Sequence, residues 1–276
     1  MANVEEVAGI GYWRSMYRSL ALLFLLTAPA WSWGREGHSL IGVIAERHLN
    51  PEARAAVAQL LEPGESLASI GSWADAIRGE RKETSTWHYI NLPVSAARGD
   101  WRAYCPETGC VVGVIPEMIA RLRNPSLSRM EKAEALKFLT HFVGDLHQPL
   151  HVADKGDRGG NDVPVVFLDR ASNLHSIWDT PILMWMLEND RGLRERLTRR
   201  VGYWERRRMA GGSLNDWAWE AHAISRDVAY QRLPEGTPKV LGVEYARNAA
   251  PAVEMQLQRA GLRLARVLNE LFPAKP

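Results

Sequence analysis

Histidine and aspartate recur along this chain at the spacing of metal ligands. His141 and Asp145 stand four residues apart in a segment of helical apolar periodicity, so both side chains leave one face. His175 and Asp179 repeat that spacing in a second segment, and His151 follows Asp145 by six residues, just past Pro149. His38, Asp75 and His88 add three more candidates. Imidazole nitrogen and carboxylate oxygen are typical ligands of zinc. A lone His–Asp pair on a helix is also an ordinary surface hydrogen bond. Two pairs within mainly apolar helices are different, because a buried carboxylate needs a counter-charge. No Lys or Arg lies between Phe138 and Asp154. A metal ion is the economical partner, and the chemistry expected of it is activation of water and of a phosphate or carbonyl group.

The start of the chain bears on the same site. Arg14 and Arg18 precede the apolar run Leu20 to Leu26, and the small residues Ala28, Ala30 and Ser32 follow. That order is the order of a secretory signal peptide. The alternative is an uncleaved anchor, but the run is short of the ~20 apolar residues a spanning helix needs. Cleavage between Ser32 and Trp33 is expected, with a cut after Ala30 as the competitor. A mature chain opening Trp33-Gly34-Arg35-Glu36-Gly37-His38 places a free amine five residues before His38. The glycines let the chain fold back so that the amine and His38 share a metal. An ordinary buried tryptophan is the plainer reading of Trp33. Residues 1–32 are therefore expected to be removed, and residues 33–276 to form a single domain that is secreted or periplasmic.

The elements that must carry these residues read almost entirely as helix. Asn50 and Pro51 cap and open a helix to about Leu61. Ser128 and Glu131 form a capping box for a helix that ends at Pro149. Asn173 caps a helix through Trp178 and Leu183, and Ser213 caps another carrying Trp217, Ala221 and Ile224. The last helix runs from about Pro251 to Leu271. Only Val163 to Leu168 reads as a strand, so at most a minor β-hairpin is expected in an all-α fold. With 276 residues and 46% hydrophobic content there is ample material for a core. The formal net charge is only +2. Binding of nucleic acid by phosphate neutralisation alone usually needs a more basic chain, so bound metal would have to supply positive charge. The two cysteines, in Cys-Pro-Glu-Thr-Gly-Cys at 105–110, could close a local disulfide across a tight turn or offer two thiolates to a metal.

Taken together these pieces resemble the zinc-dependent single-strand-specific nucleases of the nuclease S-one and nuclease P-one type. The matching segments are Trp-Gly-x-x-Gly-His at 33–38, Ser-Trp-Ala-Asp at 72–75 and Trp-His-Tyr-Ile-Asn at 87–91. They continue with His-Phe-Val-Gly-Asp-Leu-His-Gln-Pro-Leu-His at 141–151, Gly-Gly-Asn at 159–161 and Asn-Leu-His-Ser-Ile-Trp-Asp at 173–179. The resemblance implies a helical domain holding three Zn2+. Asp75, His88, His141 and Asp145 would hold the first ion, and His151, His175 and Asp179 the second. The third would take the amine and carbonyl of Trp33 with His38 and Asp145, which then bridges two ions. His147 would not be a ligand, and His48 and His222 read as structural. Cys105 and Cys110 match a short disulfide of the family.

The activity implied is endonucleolytic hydrolysis of single-stranded DNA and RNA to 5′-phosphorylated products, with 3′-nucleotidase activity beside it. Tyr89 and Asn161 are candidates for a base-binding pocket. Two positions depart from the family's habit: Asn91 stands where an acidic residue is frequent, and Arg78 where a lysine is. Asparagine orients water but is no general base, and arginine still stabilises phosphate charge. Both are carried as auxiliary catalytic residues. The rival reading is a zinc-dependent phospholipase C of the same superfamily, disfavoured because the last ligand is Asp179 rather than glutamate. A non-catalytic zinc-sequestering protein is a further alternative. Single-stranded nucleic acid and nucleotides are the expected partners, with no stable protein partner, no transmembrane segment in the mature form, and a monomer. The stretch Arg191 to Arg208 holds eight arginines and two glutamates. It reads as a solvated helical face or, more sharply, as a track for substrate. No Asn-x-Ser/Thr sequon is present, since Asn124-Pro125-Ser126 is excluded by its proline.

Overall fold

The computed structural model describes residues 33–274, so the expected signal segment 1–32 lies outside the described residues. The fold is mostly α-helical. At its centre is the helix Arg129–Asp145, whose second half is buried from Phe138 to Asp145. Ser128 opens it with both halves of the capping box in place. Two long helices pack with it: Arg35–His48 at the start and Val243–Leu271 at the end. Helix Val111–Arg123 lies along another side. The side chains of Leu136, Leu139, Phe142 and Val143 are lost to solvent inside one large core cluster. Trp178 and Trp217 are buried in it as well. Each such aromatic hides roughly 150–250 Å², so burial of apolar area dominates the stability of this centre. Trp178 satisfies its ring N–H by donating to the Tyr245 hydroxyl at 2.9 Å, which in turn donates to the Ala229 carbonyl at 2.9 Å.

Several elements follow the sequence reading closely. Helix Pro51–Leu60 begins behind Asn50, whose side chain accepts from the Ala53 N–H at 2.6 Å. Helix Leu214–Ile224 begins behind Ser213 in a second capping box with Asp216. Others differ for physical reasons. The segment capped by Asn173 is two helices, Leu174–Asp179 and Pro181–Asn189. Pro181 disfavours helical backbone at the residue before it, and Thr180 sits outside the helical region. The last helix starts at Val243, with Pro251 inside it rather than at its first turn. Of residues 33–38, expected as a glycine-rich fold-back, 35–38 are the first turn of a helix.

The strand content is small but exceeds one hairpin. Pro164–Phe167 pairs antiparallel with Arg170–Asn173 and parallel with Lys239–Leu241. Leu168 and Asp169 have positive φ, of 48° and 66°, as a tight two-residue hairpin loop requires. Aspartate is among the residues that favour that loop, and leucine is not. Leu92–Pro93 pairs with Ala153–Asp154 in parallel. This short pairing ties the segment after His88 to the segment after His151. Cys105 and Cys110 form a disulfide, with Cα atoms 5.5 Å apart. No described helix is long and apolar enough to cross a membrane.

Candidate metal centre

The ligand candidates converge from six parts of the chain. His38 comes from the first helix, Asp75 from Trp73–Ile77, and His88 from the end of a 3-10 segment, Lys82–His88. His141 and Asp145 come from the last turn of the central helix. His151 closes a short 3-10 turn opened by Pro149, and His175 and Asp179 share helix Leu174–Asp179. All of them are buried except Asp75, which is half-buried.

The side chains form three groups in which the ligand atoms lie within 4.8 Å of one another: His38, His141 and Asp145; Asp75, His88 and His141; His151, His175 and Asp179. Asp145 faces two of these neighbourhoods at once. Its Oδ2 lies 3.0 Å from His88 Nδ1 and 3.1 Å from His141 Nε2, while Oδ1 lies 3.4 Å from His38 Nε2. Asp75 Oδ1 closes the other side, 3.6 Å from His88 Nδ1 and 3.5 Å from His141 Nε2. His175 Nε2 lies 3.6 Å from Asp179 Oδ2, and His151 Nε2 lies 3.8 Å from Asp179 Oδ1. Trp33 is fully buried at the head of the first helix, and the Gly34 N–H donates to the Asp179 carbonyl at 2.8 Å.

Backbone carbonyls fix the tautomers. His141 Nδ1 donates to Gly71 O at 2.8 Å, His151 Nδ1 to His88 O at 2.7 Å, and His175 Nδ1 to Gly159 O at 2.8 Å. In the neutral ring each Nε2 then carries the lone pair and faces carboxylates, an arrangement that favours a cation between them. His151 Nε2 and Asp179 Oδ2 are buried without a hydrogen-bond partner. The donor set therefore fits bound metal. The protonation balance agrees. Burial works to lower His141, but the Asp145 and Asp75 carboxylates overcome it and raise it to about 9, a demand for positive charge at that spot. Burial brings His151 down to about 3 and His175 to about 4, so both are neutral and available as ligands. Burial also pushes Asp179 well above the usual carboxylate range, a shift that an adjacent cation reverses.

Glycines make the close packing possible. A Cβ on Gly144 would lie 2.7 Å from His38 Nδ1, so any side chain there displaces the imidazole. Gly159 has φ +61°, and a Cβ there would lie 2.5 Å from Leu150 O.

A cavity of about 230 Å³ opens beside the cluster, with His88, His151 and His175 in its wall. Arg78, Tyr89, Asn91 and Asn161 all line it. Arg78 donates to Ser85 O at 3.2 Å, and Asn161 Nδ2 donates to Arg158 O at 2.8 Å. Larger hollows at Trp185–Glu254 and at His48–Asn269 contain none of the ligand candidates. His147 stands apart, as expected: Nδ1 donates to Val143 O at 2.7 Å and Nε2 accepts from Arg263 at 2.9 Å, so no lone pair is left for a metal. His48 and His222 are likewise engaged with backbone groups.

Three contributors escaped the sequence reading. Gln148 holds Asp179, Arg263 holds His147, and Arg158 lines the cavity. Gln148 carried a signal, being an amide inside a run otherwise made of apolar residues and ligand candidates. Arg263 carried none, since its partner lies 116 residues away.

Comparison with known proteins agrees with this geometry. The sequence profile of the family described as S1/P1 Nuclease matches residues 33–273. Endonuclease 4 of Arabidopsis thaliana is 33% identical, over 95% of this chain and 97% of its own. Nuclease P1 of Penicillium citrinum is 30% identical, over 87% and 97%, and Nuclease S1 of Aspergillus oryzae is 26% identical, over 93% and 97%. A buried His/Asp cluster beside a cavity lined by arginine and amide groups suits phosphodiester hydrolysis, and the chain belongs to the S1/P1 nuclease family.

Proposed function

We propose that this protein is an exported zinc-dependent endonuclease that hydrolyses single-stranded DNA and RNA at a trinuclear site. The observation that carries the reading is Asp145, whose two oxygens face separate groups of imidazoles. Asp75, His88, His141 and Asp145 would hold one zinc ion, and His151, His175 and Asp179 a second. Trp33, through its amine and carbonyl, would hold a third with His38 and Asp145. When bound, zinc supplies Lewis-acid charge for the phosphate and acidifies water for attack on phosphorus.

The chain's own groups do the rest. The carbonyls of Gly71, His88 and Gly159 hold His141, His151 and His175 in one tautomer and orientation. Arg78 places positive charge at the cavity wall, where charge builds on the phosphate. Asn91 orients water and does not take a proton. Tyr89 and Asn161 receive a base, by stacking and by hydrogen bonds to its edge. The small cavity supports a preference for single strands, because a base must leave a duplex to enter it. Products carrying 5′-phosphates and a 3′-nucleotidase activity belong to the same reading. Residues 1–32 are read as the removed export signal and residues 33–276 as the catalytic domain; the family match beginning at Trp33 supports that division.

The test is cleavage of matched single-stranded and duplex substrates by the purified mature protein, with and without chelator. Chelator-sensitive cleavage of the single strands is expected. Hydrolysis of lecithin with no cleavage of either strand type would replace this reading with a phospholipase C.

A further inference from the structure

Eight arginines crowd the stretch Arg191 to Arg208, and only part of that charge is neutralised. Arg194 pairs with Glu36, Arg196 with Asp190 and Glu254, and Arg199 with Glu205. Among the described residues, Arg200 and Arg206 have no carboxylate within ion-pair distance. Together with Arg54 they line a surface groove of about 800 Å³ whose other polar side chains are those of His48, Asn50 and Asn269, with no carboxylate in its wall. The potential is felt nearby: burial lowers His48, and the charges of Arg206, Arg200 and Arg47 lower it further.

Beside this groove the short helix Tyr203–Ala210 exposes two aromatic rings. Trp204 is 77% exposed and Tyr203 55%. They meet edge to face with centroids 5.0 Å apart, and Arg207 donates to the Tyr203 hydroxyl at 3.2 Å. The platform is firmly mounted. The Val201 N–H donates to His48 Nε2 at 3.1 Å, and Ala210 is buried with Ile44 and Leu262. The indole is thus left open to solvent on a fixed, basic surface.

We propose that Arg200 and Arg206 in the groove, with Trp204 on the outer side of the helix that carries Arg206, form an exosite that grips the phosphates and a base of single-stranded nucleic acid outside the metal centre. Guanidinium groups fit phosphate oxygens as a two-pronged donor. A free indole face stacks any base without regard to sequence. A groove walled by arginine suits a flexible polyanionic strand. A lipid surface would call for a broader apolar face than two adjacent rings. The position also suits a long substrate. His38 and His48 lie ten residues apart on one helix, which separates the metal centre from the groove by roughly 15 Å at the helical rise. A dinucleotide held at the metal centre is too short to span that interval.

The inference rests on the reading of this protein as a nuclease of single strands. The experiment measures kcat/KM of the zinc-loaded enzyme on a dinucleotide and on an oligothymidine of about 30 nucleotides, across a range of salt. The variants are Arg200→Gln with Arg206→Gln, and separately Trp204→Ala. For the double variant the long substrate should lose about tenfold through KM, and its salt slope should flatten by about 1.4, from two phosphates at about 0.7 each. Trp204→Ala should raise KM for the long substrate with little change in slope. The dinucleotide should be cleaved as by wild type. Wild-type KM and salt slope in both variants would overturn the exosite, and so would equal losses on both substrates. Wild-type enzyme inert on both substrates would instead remove the nuclease reading, and the exosite with it. Loss of binding to phosphatidylglycerol vesicles with unchanged kinetics on the long substrate would reassign the patch to an anionic membrane.

Discussion

Gln148 donates from Nε2 to Asp179 Oδ1 at 2.6 Å, while its Oε1 accepts the Leu150 N–H at 2.5 Å. One amide thereby ties the turn after the central helix to a carboxylate 31 residues later. It also decides which oxygen of Asp179 remains available, since Oδ2 has no hydrogen-bond partner.

Gln148→Leu leaves Asp179 free to rotate and the Leu150 N–H unsatisfied. Partners behind metal ligands typically contribute about ten- to a hundredfold to metal affinity. Zinc content under a graded chelator should therefore show one ion leaving far earlier than in wild type. Identical chelator titrations would mean that Gln148 only fills space.

His147 sits amid the proposed ligands in the sequence, but its own contacts are to the fold. Arg263, buried over the Trp217 ring, reaches both His147 Nε2 and Glu220. His147→Leu should cost about 1–3 kcal/mol by stranding a buried donor, with the zinc count unchanged. His141→Ala should lose zinc. Metal loss in the first variant would contradict the separation of the two histidines.

Much of this was legible from local sequence. The pairs His141–Asp145 and His175–Asp179 are four apart on helices, so facing the same way required no tertiary knowledge. Ser128 with Glu131 and Asn50 with Pro51 marked their helix starts by capping chemistry. What was illegible depends on distant partners or on broken local rules. Pro251 sits inside a helix because packing against the rest of the core outweighs its missing donor. Lys239–Leu241 is a strand only because Pro164–Phe167 lies beside it. The first turn at Arg35 hid behind two glycines that ordinarily argue for a loop.

Acid should destabilise the protein in a defined direction. Burial holds His48, His147 and His222 below the ordinary histidine pKa, with nearby arginines adding to the effect. The unfolded chain takes up protons at these sites near pH ~6.5 and the folded chain resists them. The unfolded state then binds more protons, so stability is complete above that pH and falls as pH drops below it. The proposed metal ligands would add in the same direction, because protons compete with zinc. Thermal midpoints at fixed zinc should decline from about pH 7 to about pH 5. A midpoint that rises on acidification would contradict the assignment.

Arg78 lines the cavity outside the metal groups. Arg78→Ala should lower kcat about a hundredfold, the scale of one lost electrostatic donor. Zinc content should stay intact. Loss of zinc in that variant would show that Arg78 supports the structure of the site rather than the reaction.

The proposed trinuclear site would be completed by the mature N-terminus. The most direct measurement is N-terminal sequencing of the exported protein together with its zinc content. A chain beginning at Trp33 with close to three zinc ions is the expected result. A different start with two ions or fewer would remove Trp33 from the site and leave at most a two-metal phosphoesterase.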